Sequence, residues 1–476
     1  MSEGRVPTGV DGLDRVIEGG FPRKSLILVA GNPGTGKTVF SAQFLYRGVA
    51  DYGENGVYVS FAENREAFYE NMKSFGFDFE RLERENRFRF LSMLAVKEEA
   101  VSSVLKIILE EISKINAKRL VIDSLSALTQ AFMKPHDARI FIHMILGRIV
   151  QQAGCTTVMV VEVPFGEERI GLGIEEFIAD GVIHLRVERL EERLFRDISI
   201  LKMRGTEVRE YEIGFTIKDG FEAFTSFEPR PIERKERFRP LPDLPEKFST
   251  GSRELDDLLD GGYPKGSTVL LEIGRNVSIL QYYLILLPTY WNFLAKGAGV
   301  IVIPSSGVDH NIVWKRSLES GLSKDSLNRQ LRICSFKSPA TKEGPYMFEI
   351  EGRSIDEDYQ RCLDIVAELQ KETRRPLLCI VGVDRLLANY GTNDTVKVLN
   401  SSATLTRESG GLLFLVLKPG YPRVSEILNA FAEIHLKMIQ KHGALLLYGL
   451  KPRIRLHFVE METTKGYPLP RLIPIL

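Results

Sequence analysis

Residues 7–38 read PTGVDGLDRVIEGGFPRKSLILVAGNPGTGKT, and this stretch sets the fold. It closes on an apolar run, SLILVA, then a glycine-rich turn, then residues that open a helix near Thr38. Gly31-Asn32-Pro33-Gly34-Thr35-Gly36-Lys37-Thr38 fits the pattern G-x-x-x-x-G-K-[ST]. The glycines let the backbone curl so that several N–H groups point at one phosphate, and the helix start adds its positive dipole end. Lys37 is expected to bridge β- and γ-phosphate oxygens, and the Thr38 hydroxyl to ligate Mg²⁺. The alternative is a glycine-rich turn without a ligand. Strand, motif and helix together favour nucleotide binding.

Working outward, the first half alternates short apolar runs with helical patterns. LILVAG, VYVSF, RLVID, TVMVVEV and VIHLRV read as strands, and Ala100–Ile115 and Ala138–Gln152 read as helices. Strands apolar on both faces, separated by helices, indicate a doubly wound α/β fold with a mainly parallel sheet. The segment ISILKMRG, from Ile198, is expected to add a late edge strand. RLVID ends in Asp123, an acidic strand end that would hold the Mg²⁺ shell, through a water.

The opening recurs later as STGSRELDDLLDGGYPKGSTVLLEIG, from Ser249. Thr8-Gly9 matches Thr250-Gly251, and Gly19-Gly20-Phe21-Pro22 matches Gly261-Gly262-Tyr263-Pro264, without a gap. The chain therefore divides into homologous domains at 1–227 and 248–476. Between them, residues 228–247 read EPRPIERKERFRPLPDLPEK, rich in proline and charge. Such a segment is expected to run extended and pack poorly, as a linker.

Composition excludes several classes. With 476 residues, 44% of them hydrophobic and 26% charged, the chain is ordinary globular material. Lys plus Arg is 63 and Asp plus Glu is 63, so bulk attraction to nucleic acid or an acidic membrane is not favoured. Cys155, Cys334, Cys362 and Cys379 form no CxxC pair and read as thiols in a reducing compartment. The longest apolar run, Ile279 to Ala295, is interrupted by Gln281, Pro288 and Asn292, and reads as a core helix, not a membrane span. A cytoplasmic protein is expected.

Four stretches resemble the KaiC-like branch of the RecA superfamily of ATPases. They are TGVDGLDRVIEGGFP before the phosphate loop, SFGFDFERLE from Ser74, GIEEFIADGVIHL from Gly173 and LKMRGTEVREYEIGFTI from Leu201. They cover nearly all of the first half. The resemblance implies two tandem RecA-like domains, ATP and Mg²⁺ as ligands, and a hexameric ring with ATP at subunit interfaces. It also implies that a pair of glutamates follows the second strand, the first being the base that activates water. Here the pair reads Ala62-Glu63, so Glu63 alone remains, and restoring a glutamate at 62 is expected to raise hydrolysis. Lys202 and Arg204 match positions that reach ATP on the adjacent subunit. Glu162, ending TVMVVE, is a weaker candidate for sensing the γ-phosphate.

The second half shares the opening and then diverges. Gly36, Lys37 and Thr38 fall on Ser278, Ile279 and Leu280, with no lysine for phosphates and no hydroxyl for a metal. The glutamate pair falls near Ser305-Ser306, and LKMRG falls near Val459-Glu460-Met461-Glu462, where acids replace the cations. Asp384 reads as a relic of the acidic strand end, although the register slips there. The second domain is thus expected to be degenerate, with the old nucleotide pocket filled by side chains. It would serve as a ring-stabilising tier or a docking surface for an unidentified protein partner. The whole reads as a slow ATPase acting as an assembly-dependent switch. The alternatives are a nucleotide-gated scaffold that scarcely turns over, and a DNA-handling ATPase like the recombinases. The acidic Glu167 and Glu168 in the loop after Val163 weaken the last. A circadian clock role is not expected, because the second domain lacks the means to bind ATP.

Overall fold

The computed structural model describes residues 4–93, 101–126, 140, 142–143, 145–166, 178–336 and 345–476. The candidate loop at Glu167 and Glu168 lies outside the described residues. Two compact units emerge. Unit 1 comprises Met1–Ser226, His442–Ala444 and Pro474–Leu476, and unit 2 comprises Phe227–Lys441 and Leu445–Ile473.

Unit 1 opens with a ribbon of β1 (Arg5–Val6) on β2 (Phe21–Pro22). Its main sheet uses β3 (Leu26–Gly31), β4 (Gly56–Ser60), β5 (Phe88–Ser92), β6 (Arg119–Asp123), β7 (Thr156–Glu162), β8 (Gly181–Leu190), β9 (Arg193–Met203), β10 (Glu212–Thr216) and β11 (Glu222–Phe224). The order across the sheet is β11-β10-β9-β8-β3-β7-β6-β4-β5. Pairs from β8 to β5 are parallel, and β8–β9, β9–β10 and β10–β11 are antiparallel. Every residue of β3 is buried. Ile27 and Val29 enter one core with Phe40 and Phe44, while Leu26, Leu28 and Ala30 enter another with Leu105 and Ile108. A strand covered on both faces needs apolar side chains at every position, which is why LILVA shows no alternation.

The segment from Ile198 is not an edge strand. β9 lies inside the sheet between β8 and β10, and the edges are β5 and β11. Ile198 and Ile200 are buried against the core, so the long hairpin with β8 carries this side of the sheet inward.

Unit 2 repeats the plan. Its ribbon is β12 (Lys247–Phe248) on β13 (Tyr263–Pro264). Its sheet uses β14 (Ser267–Ile273), β15 (Val300–Ile303), β16 (Leu331–Phe336), β17 (Met347–Ile350), β18 (Leu378–Gly382), β19 (Leu412–Leu417), β20 (Ile434–Lys441), β21 (Ala444–Lys451), β22 (Ile454–Glu462) and β23 (Leu469–Pro474). The order is β17-β16-β15-β18-β19-β14-β20-β21-β22-β23. This is the order of unit 1 with β17 added at one edge. The two openings also fold alike. The Thr8 N–H donates to both Asp14 carboxylate oxygens at 2.9 and 3.1 Å, and the Thr250 N–H donates to Asp256 at 2.6 Å. Thr and Asp recur at the same offset because a buried turn must satisfy its own N–H groups.

The run Ile279–Ala295 is one helix, and each residue from Gln281 to Leu294 is buried. Among the described residues no helix is long and apolar enough to cross a membrane. The proline-rich segment is irregular but does not pack poorly. Phe238 is 2% exposed and its ring lies 5.7 Å from Trp291 and 5.0 Å from Tyr467. The Phe238 N–H donates to Ser320 and the Leu241 N–H to Asn292. A single large aromatic and a few N–H groups anchor a stretch whose composition alone suggested a free tether.

Candidate functional site

The phosphate loop leaves β3 at Gly31 and enters the helix Lys37–Tyr52. Gly34 and Gly36 have φ of 80° and 99°, a region that side chains rarely adopt. A Cβ at Gly34 would meet nothing within 4 Å, so the loop is open on that side. Gly36 is the N-cap and supplies no side-chain cap, leaving the first N–H groups of the helix aimed outward. The loop is held from behind. Asn32 Nδ2 donates to the carbonyls of Val163 and Pro164 at 2.9 and 3.1 Å, and the Arg196 guanidinium donates to the Gly34 carbonyl at 3.1 Å. The Thr35 hydroxyl donates to the Asn32 carbonyl at 2.9 Å. Lys37 Nζ folds back on the loop, donating to the carbonyls of Gly31 and Asn32 at 2.9 and 2.8 Å. Burial lowers the Lys37 pKa, opposed by the charges of Glu162 and Asp123. An incoming phosphate would replace two neutral acceptors by charged ones.

Asp123, at the end of β6, accepts from the Thr38 hydroxyl at 3.0 Å and from the Tyr58 hydroxyl at 2.6 Å. Burial raises the Asp123 pKa, against the hydrogen bonds of Tyr58 and Thr38 and the charge of Lys37. Tyr58 is fixed by its ring, 4.4 Å from Phe68 and stacked at 5.6 Å on Phe90. A hydroxyl and a carboxylate side by side are hard oxygen donors, the set that Mg²⁺ takes. A cation there would also relieve a buried carboxylate, so these residues fit the ion.

Beyond β4, Ala62 is exposed and Glu63 is half-buried, and the Glu63 N–H donates to the Ser60 hydroxyl at 2.9 Å. Burial, and then repulsion from Asp123, raise the Glu63 pKa. Glu63 therefore lies near enough to Asp123 for the two carboxylates to interact. Glu162 also acts here, through its charge on Lys37 and Asp123.

Lys202 and Arg204 lie elsewhere. Lys202 pairs with Val182 near the start of β8, and Arg204 stands in the turn after β9, not in the strand. The Arg204 N–H donates to the Asp180 carbonyl, its guanidinium is 3.6 Å from the Asp180 carboxylate, and that carboxylate accepts from the Leu26 N–H. Leu26 begins β3 and the phosphate loop follows its end. At about 3.3 Å per residue the two ends are roughly 17 Å apart. Arg204 thus sits by the end of β3 away from the phosphate loop, whereas Lys202, beside Val182 and so level with Leu28, sits by its middle.

A family profile described as "ATPase: KaiC" matches residues 6–223. A UPF0273 protein of Methanocaldococcus jannaschii is 34% identical over 216 residues, which are 42% of this chain and 88% of that protein. The chain belongs to the KaiC-like ATPases. The circadian clock oscillator protein KaiC of Prochlorococcus marinus is 33% identical over 279 residues, 57% of this chain and 53% of its own length. The chain thus spans about half the length of that clock protein. A crystal structure of a KaiC-like protein from Pyrococcus horikoshii aligns with 46% of this chain and 98% of its own, at 38% identity and a TM-score of 0.42. A second profile, "GvpD basic region 2", matches residues 237–337.

The KaiC-like site can be traced into unit 2 through strand register. Leu26 pairs with Thr157 as Thr268 pairs with Leu413, and Leu120 pairs with Thr157 as Cys379 pairs with Leu413. The place of Asp123 is therefore taken by Gly382, and Asp384 stands two residues later, in the first turn of the helix Val383–Ser409. Asp384 accepts from the Ser306 N–H at 2.9 Å. The helix Ile279–Ala295 has its own cap: the Ser278 hydroxyl accepts from the Gln281 N–H, and the Gln281 side chain accepts from the Ser278 N–H at 2.7 Å. Tyr282, hydrogen-bonded to Ser305 and close to Asp384, occupies the corner. One sequence reading is corrected. β21, not β22, takes the place of β9, so LKMRG, at the end of β9, corresponds to the end of β21 near Lys451 and not to the acidic Val459–Glu462 of β22. Tyr58 and Arg196 were missed from sequence, and a tyrosine inside the apolar run VYVSF was the available signal.

Proposed function

We propose that the chain is a slow Mg-ATP hydrolase whose first domain, 1–227, carries the site and works in a homo-oligomeric ring. On this reading the second domain, 248–476, joined through 228–247, binds no nucleotide, and the output is a conformational change read by a partner protein. The contrast between two helix starts in equivalent strand positions carries the reading. One begins at an uncapped Gly36 beside Lys37, Thr38 and Asp123. The other begins at Ser278 inside a closed capping box, with Ile279 and Leu280 where lysine and threonine would be.

Thr38 and Asp123 would hold Mg²⁺, which offsets charge on the phosphate oxygens. The loop N–H groups and Lys37 bind and orient the triphosphate. Glu63 takes the proton of the attacking water, and its raised pKa makes it the stronger base. Lys202 and Arg204 act on the site of an adjacent subunit, which makes turnover depend on assembly. A scaffold that binds ATP and scarcely hydrolyses it is the second reading, favoured by Ala62 in place of the first glutamate.

Binding of a fluorescent ATP analogue to the full chain tests the proposal. One site per chain is expected, lost in Lys37→Ala. Two sites per chain would refute a nucleotide-free second domain, and undiminished binding by Lys37→Ala would refute the assigned site.

A further inference from the structure

Unit 2 contains a cavity of about 470 Å³ enclosed by the helices Ile355–Thr373 and Val383–Ser409 and by the face of β15, β18 and β19. Its origin is local. The helix Ile355–Thr373 buries only Asp358, Ile365 and Leu369. The helix Val383–Ser409 is broken at Gly391, where φ is 77° and ψ 179°, so its two segments diverge over the sheet. The floor is Ile301, Cys379 and Leu413, and Val366 and Leu399 pack on the same side of the sheet. Protein interiors are close-packed, and apolar cavities hold water poorly. The volume falls within the range of small-molecule sites, about 300–1,000 Å³.

The charges select the occupant. No Lys, Arg or His side chain is among the described residues that line the cavity; Asp358 and Glu408 are. Asp358 is already engaged by the N–H groups of Glu351 and Gly352 and by the Tyr390 hydroxyl, at 3.0, 2.8 and 2.7 Å. Apart from Glu408, what remains polar is uncharged: Tyr359, Gln370, Ser402, Thr406 and Ser409. An anionic head group would find no cation among the described lining residues and would face Glu408. We infer that this cavity is a binding site for a neutral, elongated apolar molecule, such as a long-chain alcohol, with its polar end at these hydroxyl and amide groups. The inference is independent of nucleotide chemistry in unit 1.

The cavity carries its own reporter. Cys362 and Cys379 both line it. A hydrogen bond from the Cys334 thiol lowers the Cys362 pKa, whereas burial pushes Cys379 up to about 12. Cys155 and Cys334 are fully buried. Alkylation of the native chain should therefore fall first on Cys362.

Titration of the full chain with N-phenyl-1-naphthylamine should reveal one saturable site, displaced by hexadecanol and not by palmitate. Hexadecanol at about ten times its dissociation constant should slow Cys362 alkylation by about tenfold. Val366→Phe and Ser402→Phe, which put bulk into the cavity, should weaken dye binding while fluorescent ATP still binds. Lys37→Ala should bind the dye as the wild type does. Absence of a saturable site, displacement by palmitate as readily as by hexadecanol, or unchanged Cys362 alkylation would each overturn the inference. If the filled variants fail to fold, the alkylation result on the wild type decides alone.

Discussion

At the residue scale, the exchange of one glutamate for Ala62 matters less than the direction its neighbour takes. Ala62 faces solvent, and Glu63 lies close enough to Asp123 for their charges to repel. Glu63→Gln should lower single-turnover hydrolysis by about 10²-fold or more, with ATP-analogue affinity nearly unchanged. Ala62→Glu should change the rate little, because the added carboxylate would project into water. The sequence by contrast leads to the expectation that a glutamate at 62 raises hydrolysis, and the measured rate decides between the two. An acceleration of about tenfold or more in Ala62→Glu would return the base to position 62. Both glutamate positions were legible in the sequence, but which one turns inward was not. That depends on the Ser60 hydroxyl holding the N–H groups of Ala62 and Glu63, a contact of the folded turn.

At the element scale, each domain opens with a turn whose N–H group donates to a half-buried carboxylate, Asp14 or Asp256. Burial raises the Asp14 pKa from 3.8 to about 6, against the opposing Thr8 hydrogen bonds. The folded chain therefore binds this proton more tightly than the unfolded chain does. Stability from Asp14 is fully present below the unfolded value and is lost as pH rises from 3.8 to about 6. Asp14→Asn removes that dependence. Urea unfolding at about pH 4.5 and about pH 7.5 should show the wild type losing ground to the variant as pH rises. An unchanged difference would mean that the carboxyl is not buried as described. The second opening offers a helix test. Ser278→Ala breaks the capping box and should cost about 1 kcal/mol in the unfolding of unit 2, with ATP-analogue binding preserved.

At the scale of the whole molecule, the proposed ring would make the site of one chain depend on its neighbour. Arg204 pairs with Asp180 beside the start of β3, at the end away from the phosphate loop. Arg204→Ala should leave nucleotide affinity nearly intact and depress turnover, because the arginine acts on charge that develops in the transition state. Mixing Lys37→Ala with Arg204→Ala subunits should restore part of the activity, since some interfaces then pair an intact Lys37 with an intact Arg204. No recovery in a mixture shown to co-assemble would confine Arg204 to its own chain. In unit 2, Lys451 ends β21 and Arg453 stands in the turn after it.

The sequence by itself determined what short-range physics writes. The loop from Gly31 to Thr38 needs glycines at positive φ, β3 needs an apolar residue at every position, and Ile279–Ala295 has no polar face to give to water. The repeated Thr and Asp of the two openings were legible for the same reason, since their hydrogen bond spans only six residues. Tertiary structure decided whatever depends on residues far apart in the chain. It put β9 inside its sheet and closed Phe238 under Trp291. It brought Tyr58 to Asp123 across neighbouring strands, 65 positions apart in sequence. It moved the counterpart of the LKMRG segment from the acids of β22 to the end of β21. Counting along the chain fails there because the offset between matched strands is not constant: it is 242 from Leu26 to Thr268 (268 − 26) and 259 from Leu120 to Cys379 (379 − 120). Strand register, which is fixed by pairing, keeps the correspondence that counting along the chain loses.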